Sequence, residues 1–326
     1  MARLSLPSSL ALAAVAFLPA CSSWFVSEDV ASLSSTRRFV LDYQVVIPPE
    51  VNDQLGPVRI WVPVPVSDGV QTIDVLEAPE GVRWSGPDIH GNRFASLVWM
   101  GGERELVWSY RVERRQDGGD SAGAERDLGE REAFLHYLDP DVMVPSRGPA
   151  VELAFELAEQ VERADFPGAL FRSIVDQMEY TTEGDVGYGS SDFAAVESVG
   201  DAADYAAYFI GGMRYQQYAA RFQVGFLLPI ERGWGQLSDP HAWAHWYRPD
   251  YGWQAVDPGA ADLDPDRGAA YYFGTLGSNR VSLSCGRDLV LDPPQQGAPL
   301  NFFVAAYGEQ DGREVRLETQ ASYYDL

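Results

Sequence analysis

His241 and Asp257 are the residues of this chain with the plainest capacity for chemistry. His241 opens an alternating stretch with Trp243 and His245 on its side. The turn Arg248-Pro249-Asp250-Tyr251-Gly252 then returns the chain, so that Asp257 arrives near it on the paired strand. A carboxylate that holds an imidazole in one tautomer makes a general base. Such a base needs a nucleophile, and candidates are few. The 326 residues include two cysteines, Cys21 and Cys285, with none between positions 22 and 284. Asp201 and Asp204 read as a helix cap and an acid of the first turn, and Ser198 stands on an approach loop without a base. Cys285, in Ser282-Leu283-Ser284-Cys285-Gly286-Arg287, lies in a strand-like run away from any helix start, as a small buried residue does. His241-x-x-x-His245 is not a metal pair, because on a strand the two stand about 13 Å apart. No cofactor is expected.

The elements around these residues fall into five parts. Arg3, the apolar run from Leu10 to Phe17 and Leu18-Pro19-Ala20-Cys21 form an export signal over 1–21 with a lipobox-like end, which predicts lipidation of Cys21; Pro19 is unusual there and leaves plain signal-peptidase cleavage open. With Cys21 acylated, Cys285 has no partner and no structural disulfide is expected. A tether over 22–36 follows. Period-two alternation (Phe39, Leu41, Tyr43, Val45; Ile60, Val62, Val64; Leu106, Trp108, Tyr110, Val112) predicts an antiparallel β-domain over 37–115. A polar linker covers 116–147, its Gly-, Asp-, Glu- and Arg-rich heart running from Gln116 to Glu132. Beyond it the period becomes helical. Leu153, Ala154, Leu157, Ala158 and Val161 make one stripe and Phe171, Ile174, Val175 and Met178 another, ahead of a polar loop from Thr181 to Ser198. Asp201 then caps a helix whose Tyr205, Tyr208, Phe209 and Gly212 face a core. After Arg221 the pattern is again that of strands.

Five segments in order resemble the transglutaminase-like superfamily. Gly200-Asp201-Ala202-Ala203-Asp204-Tyr205 resembles the opening of its nucleophile helix. Ala220-Arg221-Phe222-Gln223-Val224-Gly225-Phe226 is similar to a strand motif, Pro240-His241-Ala242-Trp243 to the histidine segment, and Gly252-Trp253-Gln254-Ala255-Val256-Asp257-Pro258 to the aspartate segment. Phe273-Gly274, Asn279-Arg280-Val281, Gly286-Arg287-Asp288-Leu289 and Leu300-Asn301-Phe302-Phe303 resemble the end of bacterial members. The likeness spans about 150–313. It implies an α+β protein in which the β-domain precedes a papain-like, transglutaminase-like domain over 148–326, helices packed on an antiparallel sheet. It also implies that Ala202 stands where the family has its cysteine. The family forms a thioester through a thiolate at a helix N-terminus, where the unpaired N–H groups lower the thiol pKa. A methyl group has no lone pair to donate. Losing the nucleophile of such a triad lowers the rate by on the order of 10⁴ to 10⁶. Ala206, Gln217-Tyr218-Ala219-Ala220 and Gly259-Ala260-Ala261 also depart from the family toward small apolar residues.

The expectation is therefore an exported, lipid-anchored envelope protein, on the periplasmic side in a Gram-negative source, that binds a peptide or protein. Its groove would lie near Ala202, His241 and Asp257, with Trp243, Asp204 and Tyr205 at the ligand and Trp234, Trp243 and Trp253 as aromatic walls. Two alternatives stay open: amide hydrolysis or acyl transfer with His241, Asp257 and another nucleophile, and a function carried by the β-domain. Forty-eight acidic side chains against 24 basic ones give −24, with every basic residue an arginine, a field that repels nucleic acid and anionic lipid.

Overall fold

Alternating apolar residues on the first long strand set up the architecture. In Thr36–Val46 the side chains of Phe39, Leu41, Tyr43 and Val45 all point inward and are buried. The computed structural model describes residues 36–118, 135–183, 186–249 and 251–326. The export signal, Cys21, the tether up to Ser35 and residues 119–134 of the linker lie outside the described residues. Among those described, no helix is long and apolar enough to cross a membrane.

Two five-stranded antiparallel sheets share one core. The first runs Trp234–Leu237, Glu318–Asp325, Thr36–Val46, Glu105–Arg115, Gln71–Glu77. The second runs Arg313–Val315, Tyr307–Gln310, Val58–Val64, Arg93–Trp99, Arg83–Trp84. Val58, Ile60, Val62 and Val64 meet Leu41, Tyr43, Trp108 and Tyr110 in that core. A domain boundary drawn at 148 does not partition these strands: Glu318–Asp325 pairs with Thr36–Val46, and Tyr307–Gln310 with Val58–Val64. The C-terminal strands cover edges that the N-terminal ones would otherwise expose. The described residues accordingly form one compact unit.

A four-stranded antiparallel sheet, in the order Gly252–Val256, Pro240–Arg248, Ala220–Leu227, Arg280–Cys285, carries the remaining motifs. One face, with Phe222, Val224, Ala242 and Ala244, packs with the Ala202–Tyr215 helix. That helix is buried continuously from Ala202 to Met213, and the Pro149–Ala158, Phe166–Gln177 and Ser191–Glu197 helices contact it. The sheet's other face is polar. Gln223 accepts from the Trp243 indole at 3.1 Å and donates to Ser282 at 2.6 Å, and Gln71 exchanges hydrogen bonds with the Ser282 backbone at 3.0 and 3.1 Å. Gly225 fits where the ladder bulges against Arg280–Cys285, since a Cβ there would lie 1.8 Å from the Val281 carbonyl oxygen.

Two local expectations need correction. The polar loop from Thr181 to Ser198 contains a short helix, because Ser190 caps it through Phe193 N–H and Ser198 ends it with a left-handed backbone. The start of the linker is ordered as well. Asp117–Gly118 pairs with Thr275–Leu276, and the Asp117 carboxylate engages His245. Tyr137, near the linker's other end, is buried against Cys285 and Trp253.

Candidate functional site

The helix that begins at Ala202 is capped twice over. The Asp201 carboxylate accepts from the N–H groups of Ala203 (2.8 Å) and Asp204 (3.2 Å), while Asp204 accepts from Asp201 N–H at 3.2 Å. The same Asp204 carboxylate takes Gly187 N–H at 3.1 Å, Gly189 N–H at 2.8 Å and Ser190 N–H at 3.0 Å, which ties the approach loop to the helix start. Burial, then the nearby Asp201 charge, raises its pKa against those bonds. Gly200 is part of this packing, because a Cβ there would stand 2.6 Å from that of Asp204.

His241 reaches the same neighbourhood from the sheet. Its Nε2 lies 2.8 and 3.1 Å from the two oxygens of Asp257, leaving Nδ1 as the ring nitrogen Asp257 does not use. Asp257 sits just past the end of the paired strand and caps the Pro258–Leu263 helix, its carboxylate accepting Ala260 N–H at 2.9 Å. Proline at the first helical position suits the start, since its missing N–H is one the helix could not use. Arg280 donates to the same carboxylate at 3.0 Å and lies over the Trp243 ring at 4.9 Å. Burial opposes the Asp257 charge, but His241, Arg280 and the Ala260 N–H outweigh it and hold the pKa near 2.

Gly259 joins the two halves. A Cβ on it would stand 3.2 Å from Ala202 Cα and 3.4 Å from a Tyr180 ring carbon, so the helix start, the Asp257 turn and Tyr180 are in contact. The Tyr180 hydroxyl faces the Ala202 backbone N–H; burial, with Asp201 and Asp257 next, pushes its pKa up to about 12. Ala202 and His241 are 3% and 4% exposed, so the site is closed over.

Of the expected site residues, His241 and Asp257 are hydrogen-bonded, and Gly259, two residues past Asp257, packs against Ala202. Trp243, Asp204 and Tyr205 do not line a groove. Each is fully buried, with the Trp243 indole on Gln223, Asp204 on the loop N–H groups and the Tyr205 hydroxyl on Asp262 at 2.9 Å. They position the site instead. The three tryptophans make no common wall either, with Trp234 84% exposed on a strand of the first sheet and Trp253 against Tyr137 and Tyr247. Sequence reasoning gave Arg280 no role; its signal was an arginine opening a strand whose six residues are all buried. Tyr180 carried no such signal.

His245 sits four residues from His241 on the same strand and pairs with Asp117, Nε2 to Oδ2 at 2.9 Å. Burial lowers its pKa and keeps the ring neutral. Burial opposes the Asp117 charge too, yet the His245 contact and the charges of Arg114 and Arg221 hold that carboxyl near 2. Cys285, the one thiol among the described residues, lies elsewhere. It stands opposite Gln223 in the ladder, with Sγ 3.8 Å from the Tyr137 hydroxyl and its N–H on Asn92. Two strand spacings and two residues separate it from His241, about 12 Å, which is beyond bonding reach.

Residues 152–258 match the Transglutaminase-like superfamily. No curated protein matches the chain in sequence. A protein from Cytophaga hutchinsonii described as a candidate cysteine protease superposes with a TM-score of 0.55 at 15% identity, over 90% of this chain and 92% of that one. The periplasmic domain of TgpA from Pseudomonas aeruginosa gives a TM-score of 0.40 at 18% identity, over 72% of this chain and 91% of its own. The fold is thus a mixed α+β arrangement with a transglutaminase-like domain behind an N-terminal antiparallel β region.

Proposed function

Because this chain carries a transglutaminase-like domain, we propose that it acts as a binding pseudoenzyme of the cell envelope, exported, anchored through Cys21 and without thiol catalysis. The observation that carries the reading is a methyl side chain on the first residue of a capped helix whose neighbouring base, His241, and orienting carboxylate, Asp257, are in place. Acyl transfer requires a group at that position able to attack a carbonyl carbon, and alanine has none. Cys285 does not reach the imidazole.

The partner in this reading is an extended peptide or protein segment bearing a carboxamide. Its carbonyl oxygen takes the Ala202 N–H now faced by Tyr180, at the positive end of the helix dipole. Tyr180 must swing aside for this, so Tyr180→Ala binds more tightly than the wild type. The test is an array of envelope-protein peptides probed with both proteins, beside assays of amide hydrolysis and amine incorporation for the wild type and His241→Ala. The reading expects peptide binding, strengthened in Tyr180→Ala, and no turnover in either assay. Turnover that His241→Ala abolishes, or a lack of peptide binding by both proteins, would overturn it.

A further inference from the structure

Three stretches of chain are locked together at the end of the first sheet where Thr36 begins the first strand. The buried Arg37 guanidinium donates to both oxygens of Asp325 at 2.8 Å and to the carbonyls of Pro229 and Glu231. Arg232 donates to the Thr36 carbonyl at 3.3 Å, Gly233 N–H to Asp325 at 2.7 Å and Leu326 N–H to the Arg38 carbonyl at 3.0 Å. Residues 36–38, 229–234 and 324–326 therefore form one fixed surface.

Four large apolar side chains project from that surface into solvent. Trp234 is 84% exposed, Leu326 60%, Ile230 47% and Tyr324 45%. Trp234 and Tyr324 stand opposite each other in the ladder and share a face. Single exposed apolar residues are ordinary, whereas a group of them fixed side by side marks a contact surface. The charges held in this end balance, with Arg37, Arg38 and Arg232 against Asp325, Glu113 and Glu231, in a chain whose net charge is −24. A locally neutral surface carrying Trp and Tyr suits the headgroup layer of a zwitterionic bilayer, where indole and phenol rings keep one edge wet and bury the other.

The sequence before Thr36 selects that occupant over a protein. Cys21 precedes Thr36 by fifteen positions, a stretch that reaches at most about 54 Å. The other end of the same strand, at Val46, stands about 33 Å from Thr36. An anchor on Cys21 thus draws the Thr36 end toward the membrane first. We propose that, with Cys21 as the anchor in the reading above, this end of the sheet rests on the lipid bilayer, with Trp234, Tyr324, Ile230 and Leu326 in its headgroup layer. The strands of the first sheet then point away from the membrane. Met100, 74% exposed on the bend into Glu105, which pairs with Val46, faces away with the far end.

The test joins the chain beginning at Cys21, through that thiol, to a maleimide-bearing phosphatidylethanolamine in phosphatidylcholine vesicles, with Cys285 buried and unlabelled. Tryptophan emission is compared in vesicles with and without brominated acyl chains. The wild type should lose more emission to the brominated lipid than Trp234→Phe does. Trp24, close to the anchor in sequence, is common to every chain and cancels in the difference. Trp234→Phe/Met100→Trp, with its new indole at the far end, should be quenched no more than Trp234→Phe. Intact mass of the chain recovered from the membranes of producing cells should show a lipid on Cys21. An unmodified Cys21 there would overturn the anchor and this proposal with it. Equal quenching of the wild type and Trp234→Phe, or recovery of the quenching by the indole at position 100, would overturn this proposal alone. So would a dimer of the wild type that Trp234→Ser abolishes, which would assign the surface to a second copy of the chain.

Discussion

Two histidine–aspartate pairs stand four residues apart on one strand, alike in burial and bond length, and their surroundings give them different work. His245 and Asp117 are bonded at 2.9 Å and tie the Asp117–Gly118 strand to the polar face of the sheet. His241 and Asp257 are bonded at 2.8 Å, but Asp257 also caps a helix, holds Arg280 and lies two residues from the glycine that touches Ala202. An imidazole beside a carboxylate is thus a common structural clasp. Reactive potential comes from the helix terminus and the group set beside it.

The largest contrast should come from removing the carboxylates. Asp257→Ala strips partners from His241, Arg280 and the Ala260 N–H at once and leaves an uncompensated buried guanidinium, so it should cost about 3–5 kcal/mol in urea unfolding. Asp117→Ala, whose closest partner is His245, should cost less, on the order of 2–3 kcal/mol, with Arg114 3.8 Å away. Equal losses would erase the distinction drawn between the pairs.

Acid should separate them by pH. His245 has a folded pKa below its ordinary value, so its contribution is complete above about pH 6.5 and is lost as pH falls through the folded pKa. Asp257 and Asp117, both held near 2, contribute in full above their ordinary carboxylate range and lose that contribution as pH falls from about 4 through 2, on the order of 2 kcal/mol each. Melting temperatures from pH 8 to pH 2 should show both stages, and His245→Gln should flatten the upper one and weaken the Asp117 part of the lower one, since the imidazole also holds that carboxylate. A variant profile parallel to the wild type would break this assignment.

The expected groove walls divide sharply, and the smallest effect of all belongs to the exposed one. Trp234→Ser should change stability by no more than about 0.5 kcal/mol, because the indole is 84% exposed, whereas Trp243→Ala should cost about 3–5 kcal/mol.

Local chemistry was legible in the residues, and long-range pairing was not. Asp201 before a run of small and aromatic residues announced a helix start through a capping rule that acts within a turn, whereas the Pro258–Leu263 helix, capped by Asp257, lies in a stretch expected to hold only strands. The turn after Arg248 placed Asp257 beside His241 for the same local reason. The return of Glu318–Asp325 to Thr36–Val46 depends on which exposed edge a distant strand covers, and no short-range pattern encodes that choice. Arg280 was hidden likewise, since its partner is 23 residues away and on a different element. Trp243, Asp204 and Tyr205 were misplaced because motif membership does not say whether a side chain lines a cleft or supports it.

The most direct test of the account is Ala202→Cys, alkylated with an iodoacetamide probe and followed by intact mass, with Ala202→Cys/His241→Ala and the wild type alongside. The account predicts that the new thiol reacts well above the rate of Cys285 and that removing His241 slows it. A new thiol no faster than Cys285, or an acyl adduct trapped on the wild-type chain, would contradict it.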